Sequence, residues 1–225
     1  MSEVAGRWAL GTRRLYLCTA DRPDLGEFLA ACIRGGVDIV QLRDKVLLDR
    51  ALVERAKLAH KVCADLGVPF IVNDRPDLVA EIGADGVHVG QDDMSAVDTR
   101  RIVGPDALVG LSSHAVDELD AAIGTPCSPV APVDYVSAGP VSATPTKPGR
   151  PGTGLGYVSQ AVARSPWPVW ITGGVAPDTV GAMLEAGARH FVVVRWLTEA
   201  ADPAAHARAL REAIDEGIDR ADAGN

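Results

Sequence analysis

Two aspartates, Asp74 and Asp93, follow short apolar runs, one in Asn73-Asp74 and the other at the polar end of Gly86-Val87-His88-Val89-Gly90-Gln91-Asp92-Asp93. Carboxylates at neighbouring strand ends can share a Mg²⁺, an ion that keeps several waters and is completed by substrate phosphates. Taken singly, Asp74 before Pro76 reads equally well as a turn residue and Asp92 or Asp93 as a helix cap, so the choice between those last two stays open. His88 alternates with Val87 and Val89 and reads as a packed structural histidine.

Positive charge suited to phosphates lies nearby in the sequence pattern. In Gln41-Leu42-Arg43-Asp44-Lys45, a period of two puts Gln41, Arg43 and Lys45 on one face of an extended chain. Standing alone, such a run is an ordinary solvated strand end. Thr144, Thr146 and Lys147 lie in a stretch rich in Pro, Gly and Thr, where hydroxyls and an ammonium can grip anionic oxygens without bulk. A plain surface loop has the same composition. Ser112 ends a further apolar run at Ser112-Ser113-His114, and two others end in Thr172-Gly173-Gly174-Val175 and Val193-Val194-Arg195. Glycines let backbone N–H groups approach a phosphate closely, so Gly173, Gly174 and Val194 would build a phosphate cup. The plainer reading of Gly-Gly is a turn into a helix.

These residues need a frame that brings them to one place. Strands are expected over residues 14–19, 38–42, 69–72, 86–89, 108–112, 135–138, 169–172 and 190–195, with Ala-rich stretches of helical length between them. Residues 48–66 carry Ala51, Ala56, Leu58, Ala59 and Val62 on recurrent turns, and residues 178–186 open on Pro177. Eight strands alternating with helices predict a (βα)₈ TIM barrel, an α/β fold. Gly35-Gly36, Gly83 and Gly187 mark the ends of helices before the next strand. In such a barrel the functional face is at the C-terminal ends of the strands, where all the residues above fall. One domain spans residues 1–225, with an N-terminal extension at 1–12, an active-site loop at 139–156 and a flexible tail at 218–225. Gly124 to Pro132, Pro-rich and ahead of the sixth strand, falls on the opposite face and is assigned no chemistry.

Composition narrows the function classes. The 225 residues are 47% hydrophobic and 23% charged, enough for a packed core. A formal charge of -8 argues against nucleic acid or an anionic membrane as partner. No run of 18 apolar residues occurs, and Cys18, Cys32, Cys63 and Cys127 form no C-x-x-C pair, so reduced thiols in a cytoplasmic protein are expected. The oligomeric state, a homo-oligomer included, is left open.

Together the motifs resemble the thiamine phosphate synthase family, also called thiamine-phosphate pyrophosphorylase, across nearly the whole chain. QLRDK at Gln41 to Lys45, NDRPDLVAEIGADGVHVGQDD at Asn73 to Asp93, GLSSH at Gly110 to His114, DYVSAGPV followed by TPTK ending at Lys147, and TGGV at Thr172 to Val175 carry the resemblance in order and spacing. It implies condensation of 4-amino-5-hydroxymethyl-2-methylpyrimidine diphosphate with a thiazole phosphate, giving thiamine phosphate and pyrophosphate through a pyrimidine carbocation. It further implies that Gln41, Arg43, Lys45, Asn73 and Ser112 hold the pyrimidine diphosphate, that Asp74 and Asp93 bind Mg²⁺, and that Lys147 meets the leaving pyrophosphate. Arg43, Lys45, Lys147 and Ser112 are the expected catalytic groups. Thr144, Thr146, Gly174 and the backbone near Val194 and Arg195 would take the thiazole phosphate, and residues 139–156 would close over the site to exclude water. Arg195 departs from the family, whose members commonly carry a small Ser there; it either tightens phosphate binding or marks a different thiazole, such as a carboxylated one.

Two rivals remain at this level. A thiazole tautomerase shares the barrel and phosphate cup but relies on a His at the fifth strand, for which His114 is the candidate. A non-catalytic phosphate-binding barrel is the other, and the full set of pyrophosphate and metal residues speaks against both.

Overall fold

The computed structural model describes residues 8–124, 131–144 and 151–223. In it β1 (Leu15–Thr19) leads to α1 (Leu25–Arg34), β2 (Ile39–Leu42) to α2 (Asp49–Asp65), and β3 (Phe70–Asn73) to a 3-10 turn (Pro76–Leu78) and α3 (Val79–Ile82). The alternation continues through β4 (Gly86–Val89), α4 (Ala96–Val103), β5 (Leu108–Ser113), α5 (Val116–Gly124), β6 (Tyr135–Ala138), α6 (Gly154–Arg164), β7 (Val169–Thr172), α7 (Val180–Glu185) and β8 (His190–Val193). Two helices, α8 (Arg195–Thr198) and α9 (Pro203–Ala223), complete it. Each strand pairs in parallel with its sequence neighbours, and β8 returns to β1 with Tyr16 opposite Val192. The closed (βα)₈ barrel expected from the alternation is therefore present.

The period of two divides each strand between two cores. Leu15, Leu17, Val40, Leu42, Val72 and Val87 face outward, where they meet Phe28, Leu29 and Cys32 of α1 and Ala56, Ala59 and Cys63 of α2. Tyr16, Ile39, Ile71, Leu108, Tyr135 and Trp170 form a second cluster inside the barrel. Leu10, within the expected 1–12 extension, is fully buried against that inner cluster, and Trp8 packs beside it. Side chains thus fill the barrel from the end where the strands begin, leaving space only at the other end. Gly36, Gly83 and Gly187, at the helix-to-strand junctions, all have positive φ.

Several boundaries differ from the sequence reading. β8 stops at Val193, not at residue 195, because Val194 turns to φ -126° and ψ -90° and its carbonyl accepts from the N–H groups of Leu197 and Thr198. Arg195 is consequently the first residue of a helix and not the end of a strand. α7 begins at Val180 instead of 178, since the Ala176 N–H bonds to the Thr179 hydroxyl. α6 begins at Gly154, which removes the last residues of 139–156 from the irregular stretch. Residues 218–223, read as tail, extend α9 to Ala223, with Ile218 prolonging the buried stripe Ala207, Leu210, Ile214. Among the described residues no helix is long and apolar enough to cross a membrane.

Candidate active site

A cavity of about 430 Å³ lies at the C-terminal ends of the strands. Its floor is made by polar residues that the strand alternation turns inward: Tyr16 and Cys18 from β1, Gln41 from β2, His88 from β4, Ser112 from β5. They are joined through Tyr135 of β6 by side-chain hydrogen bonds. The Cys18 thiol donates to Gln41 Oε1 (3.3 Å), and Gln41 Nε2 donates to the Tyr16 hydroxyl (2.7 Å). Tyr16 and Tyr135 share a hydroxyl–hydroxyl bond (3.0 Å), Tyr135 reaches His88 Nδ1 (3.3 Å), and His88 Nε2 meets Ser112 Oγ (2.9 Å). All six side chains are buried, so each polar atom must find a partner within the protein. Burial pushes the Tyr16 and Tyr135 hydroxyls well above the ordinary phenol range, and both stay protonated.

Arg43 stands one residue beyond β2, where its N–H donates to the Thr19 carbonyl at 2.7 Å and carries the ladder past the strand end. This keeps its side chain on the same face as Gln41, against the cavity. The residue is half-buried, and its guanidinium has no hydrogen-bond or ion-pair partner among the described residues. A half-buried guanidinium in that condition leaves its five donors, among the described residues, to solvent or a ligand. Across the cavity, Gly173 and Gly174 follow β7 with φ of 93° and 80°. A Cβ on Gly173 would sit 2.5 Å from Pro140 Cβ, so the sequence needs glycine there for conformation and for space. Val194, Arg195 and Trp196 close this side from the β8–α8 junction.

At the rim, Asp74 has φ 60°, a left-handed conformation that Asp tolerates better than bulkier residues. Its N–H is fixed by the His88 carbonyl at 2.8 Å. The turn brings its carboxylate within hydrogen-bonding reach of Asp93 and to 3.2 Å from Lys45 Nζ. Burial, then the hydrogen bond with Asp93 and, less, its like charge, push the Asp74 carboxyl above the usual value against the pull of Lys45. Asp93 is itself oriented by the Gly90 N–H, which donates to Oδ2 at 2.8 Å.

A model described as thiamine monophosphate synthase matches residues 15–197, from β1 into α8. This chain belongs to that family. Among its relatives, the thiamine-phosphate synthase of Thermobifida fusca is 45% identical over 212 residues, covering 92% of this chain and 95% of that protein. The thiamine-phosphate synthase of Thermus thermophilus is 42% identical over 211 residues, covering 89% and 97%. Among solved structures, thiamine phosphate pyrophosphorylase from Pyrococcus furiosus superposes with a TM-score of 0.80 at 26% identity, over 92% of this chain and 98% of that one.

Of the residues that the thiamine monophosphate synthase resemblance implies, Gln41, Arg43, Asn73, Ser112, Thr144, Gly174, Val194 and Arg195 line the one cavity. Lys45, Asp74 and Asp93 form a separate cluster beside it, joined through Asn73-Asp74. Lys45 is exposed and lies past the end of β2, so the face shared by Gln41 and Arg43 does not extend to it. Thr146 and Lys147 lie outside the described residues. His114, on which the tautomerase rival rests, does not line the cavity: its Nδ1 and backbone N–H both meet Glu118 Oε2, at 3.0 and 2.7 Å. Sequence reasoning missed Tyr16, Cys18 and Tyr135, whose inward alternation was visible in the strands, and treated His88 as packing alone. It also missed Trp196 in α8, Glu199 just past its end and His206 in α9, which line the cavity; they lie beyond the last strand, where no strand alternation could have pointed to them.

Proposed function

We propose that this barrel joins 4-amino-5-hydroxymethyl-2-methylpyrimidine diphosphate to a thiazole phosphate, releasing pyrophosphate; its similarity to proteins named thiamine-phosphate synthase supports the reading. The observation that carries this reading is the half-buried Arg43 guanidinium, without a side-chain partner among the described residues, in a cavity also walled by the Gly173-Gly174 turn. One anion site on each side suits two phosphorylated substrates facing each other, and barrels commonly hold phosphate in the loops after strands seven and eight.

The C–O bond between the pyrimidine methylene and the diphosphate breaks, and its electron pair leaves with pyrophosphate. The amino-substituted ring stabilises the resulting cation, and the thiazole nitrogen then forms the new C–N bond. No side-chain nucleophile is required. Arg43 and Ser112 stabilise charge on the leaving group, Gln41 and Asn73 orient the pyrimidine half, and Gly174, Thr144 and the Val194-Arg195 backbone hold the thiazole phosphate so that its nitrogen is aimed at the cation. Lys45 adds positive charge at the rim. Thr146 and Lys147 enter this reading through the family resemblance alone.

The Asp74–Asp93 pair fits a Mg²⁺, because two carboxylates forced together with one held above its usual protonation range are relieved by a divalent cation. Two carboxylates suffice for such an ion, which takes one or two from the protein and fills its remaining positions with water and phosphate. When bound, it would neutralise diphosphate charge as pyrophosphate departs. A cytoplasmic enzyme without nucleic-acid or membrane partners completes the proposal, in line with the acidic charge balance. The test is to supply both substrates with Mg²⁺ and quantify thiamine phosphate and pyrophosphate. Equal amounts of the two are expected; neither product forming with folded, metal-supplied protein would overturn the reading.

A further inference from the structure

The floor of the cavity is a hydrogen-bonded chain whose direction can be worked out atom by atom. Gln41 Nε2 is a donor only, so the Tyr16 oxygen accepts from it and the single Tyr16 proton must turn to the Tyr135 oxygen. Tyr135 cannot return a proton along that bond, so its own goes to His88 Nδ1. An accepting Nδ1 leaves the ring proton on Nε2, which donates to Ser112 Oγ. Ser112 Oγ, already accepting from His88, has its own proton left to donate, and it lines the cavity. The Cys18 thiol at the far end sets the orientation of the Gln41 amide by donating to Oε1. Space for the chain is reserved by Gly110, where a Cβ would collide with both the Tyr135 ring and His88 Nδ1.

We infer that Tyr16, Tyr135 and His88 are positioning residues that fix Ser112 as a hydrogen-bond donor to an anionic oxygen of the bound diphosphate. The inference rests on the proposed reaction for the identity of the ligand, but not for the direction of the chain. Reversing the Gln41 amide would reverse every link: Ser112 would then donate to His88, and its oxygen would present lone pairs to an anion. The two directions differ in the His88 tautomer, which is measurable without any ligand. Both tyrosines are buried and keep their protons, so the chain does not lose its direction by ionisation of a phenol.

The experiment uses ¹⁵N-histidine-labelled full-length protein, with the His88 signals assigned by their absence in His88→Gln. The Nε2–H tautomer is expected in the ligand-free protein; an Nδ1–H tautomer overturns the inference. Inorganic pyrophosphate with Mg²⁺ then serves as the probe in calorimetry. Tyr135→Phe should weaken its binding about tenfold, as expected for a hydrogen bond to a charged group, and should have no added effect in a Ser112→Ala background. A full effect of Tyr135→Phe in that background, or no effect of Ser112→Ala, overturns the donor role. Wild-type product formation is measured separately, so a failure of the reaction itself is distinguishable from a wrong chain direction.

Discussion

Arg43 and Asp74 do opposite things with charge, and each can be tested alone. Arg43 is a half-buried guanidinium whose donors meet no partner among the described residues, so in the proposed reaction its interaction energy is available to substrate. Arg43→Ala is expected to lower kcat/KM for the pyrimidine diphosphate by roughly tenfold to hundredfold, the worth of a hydrogen bond to a charged group. Arg43→Lys should recover only part of this, because an ammonium cannot reproduce the planar fork. Steady-state kinetics with that substrate varied provides the check, and wild-type values in both variants would remove Arg43 from the diphosphate site. Asp74 holds a carboxylate against that of Asp93 with Lys45 alongside, and the proposed Mg²⁺ would offset the repulsion of the two carboxylates. Asp74→Asn should raise the Mg²⁺ concentration for half-maximal rate about tenfold, since one charged ligand is lost. An unshifted Mg²⁺ titration would show that the metal is held elsewhere.

At the scale of the elements, the β7–α7 connection shows how one position can be fixed while a neighbour is free. Gly173 has positive φ and faces the Pro140 backbone and ring, with Pro140 Cα 2.6 Å from where a Cβ would sit. Gly181, the second residue of α7, would place a Cβ in open space. Gly173→Ala is therefore expected to cost about 1–3 kcal/mol of stability and to weaken thiazole phosphate binding. Gly181→Ala should gain up to about 1 kcal/mol through helix propensity. Urea unfolding of the two variants separates these outcomes; equal stabilities would mean that the β7–α7 turn tolerates a side chain. The same connection explains why the helix start was misread: Thr179 ties back to Gly174 and Ala176, a local bond that Pro177 did not signal.

For the whole molecule, the polar groups inside the barrel link stability to pH. His190 is buried on β8, with Nδ1 at 2.6 Å from the Arg13 carbonyl and its ring against Trp170. Burial lowers its pKa to about 4. The unfolded chain takes up a proton below the ordinary histidine value near 6.5 while the folded chain does not. Stability contributed by this group is therefore complete above pH 6.5 and falls as the pH drops toward 4. Between pH 6.5 and 5 the loss is on the order of 2 kcal/mol, at about 1.4 kcal/mol per pH unit for one proton. Unfolding free energies measured across that range should decline in the wild type and much less in His190→Asn. Parallel pH profiles would indicate that His190 titrates normally in the fold.

How much of this was legible beforehand follows from the range over which each signal acts. Strand alternation, repeated eight times around the barrel, and the glycines at three helix ends are local signals, and therefore predicted the fold and which strand ends carry Gln41, Arg43, Asn73, Ser112 and Gly174. A period of two also carried the inward direction of Tyr16 and Tyr135, but not their partners, because Tyr16 and Tyr135 are 119 residues apart and meet only through barrel closure. The sequence alone could not say that Lys45 would reach across to Asp74, that Arg195 would begin a helix, or that His114 would turn to Glu118. Those outcomes depend on single backbone angles past the strand ends, where no repeating pattern constrains the chain and the packing of neighbouring strands decides.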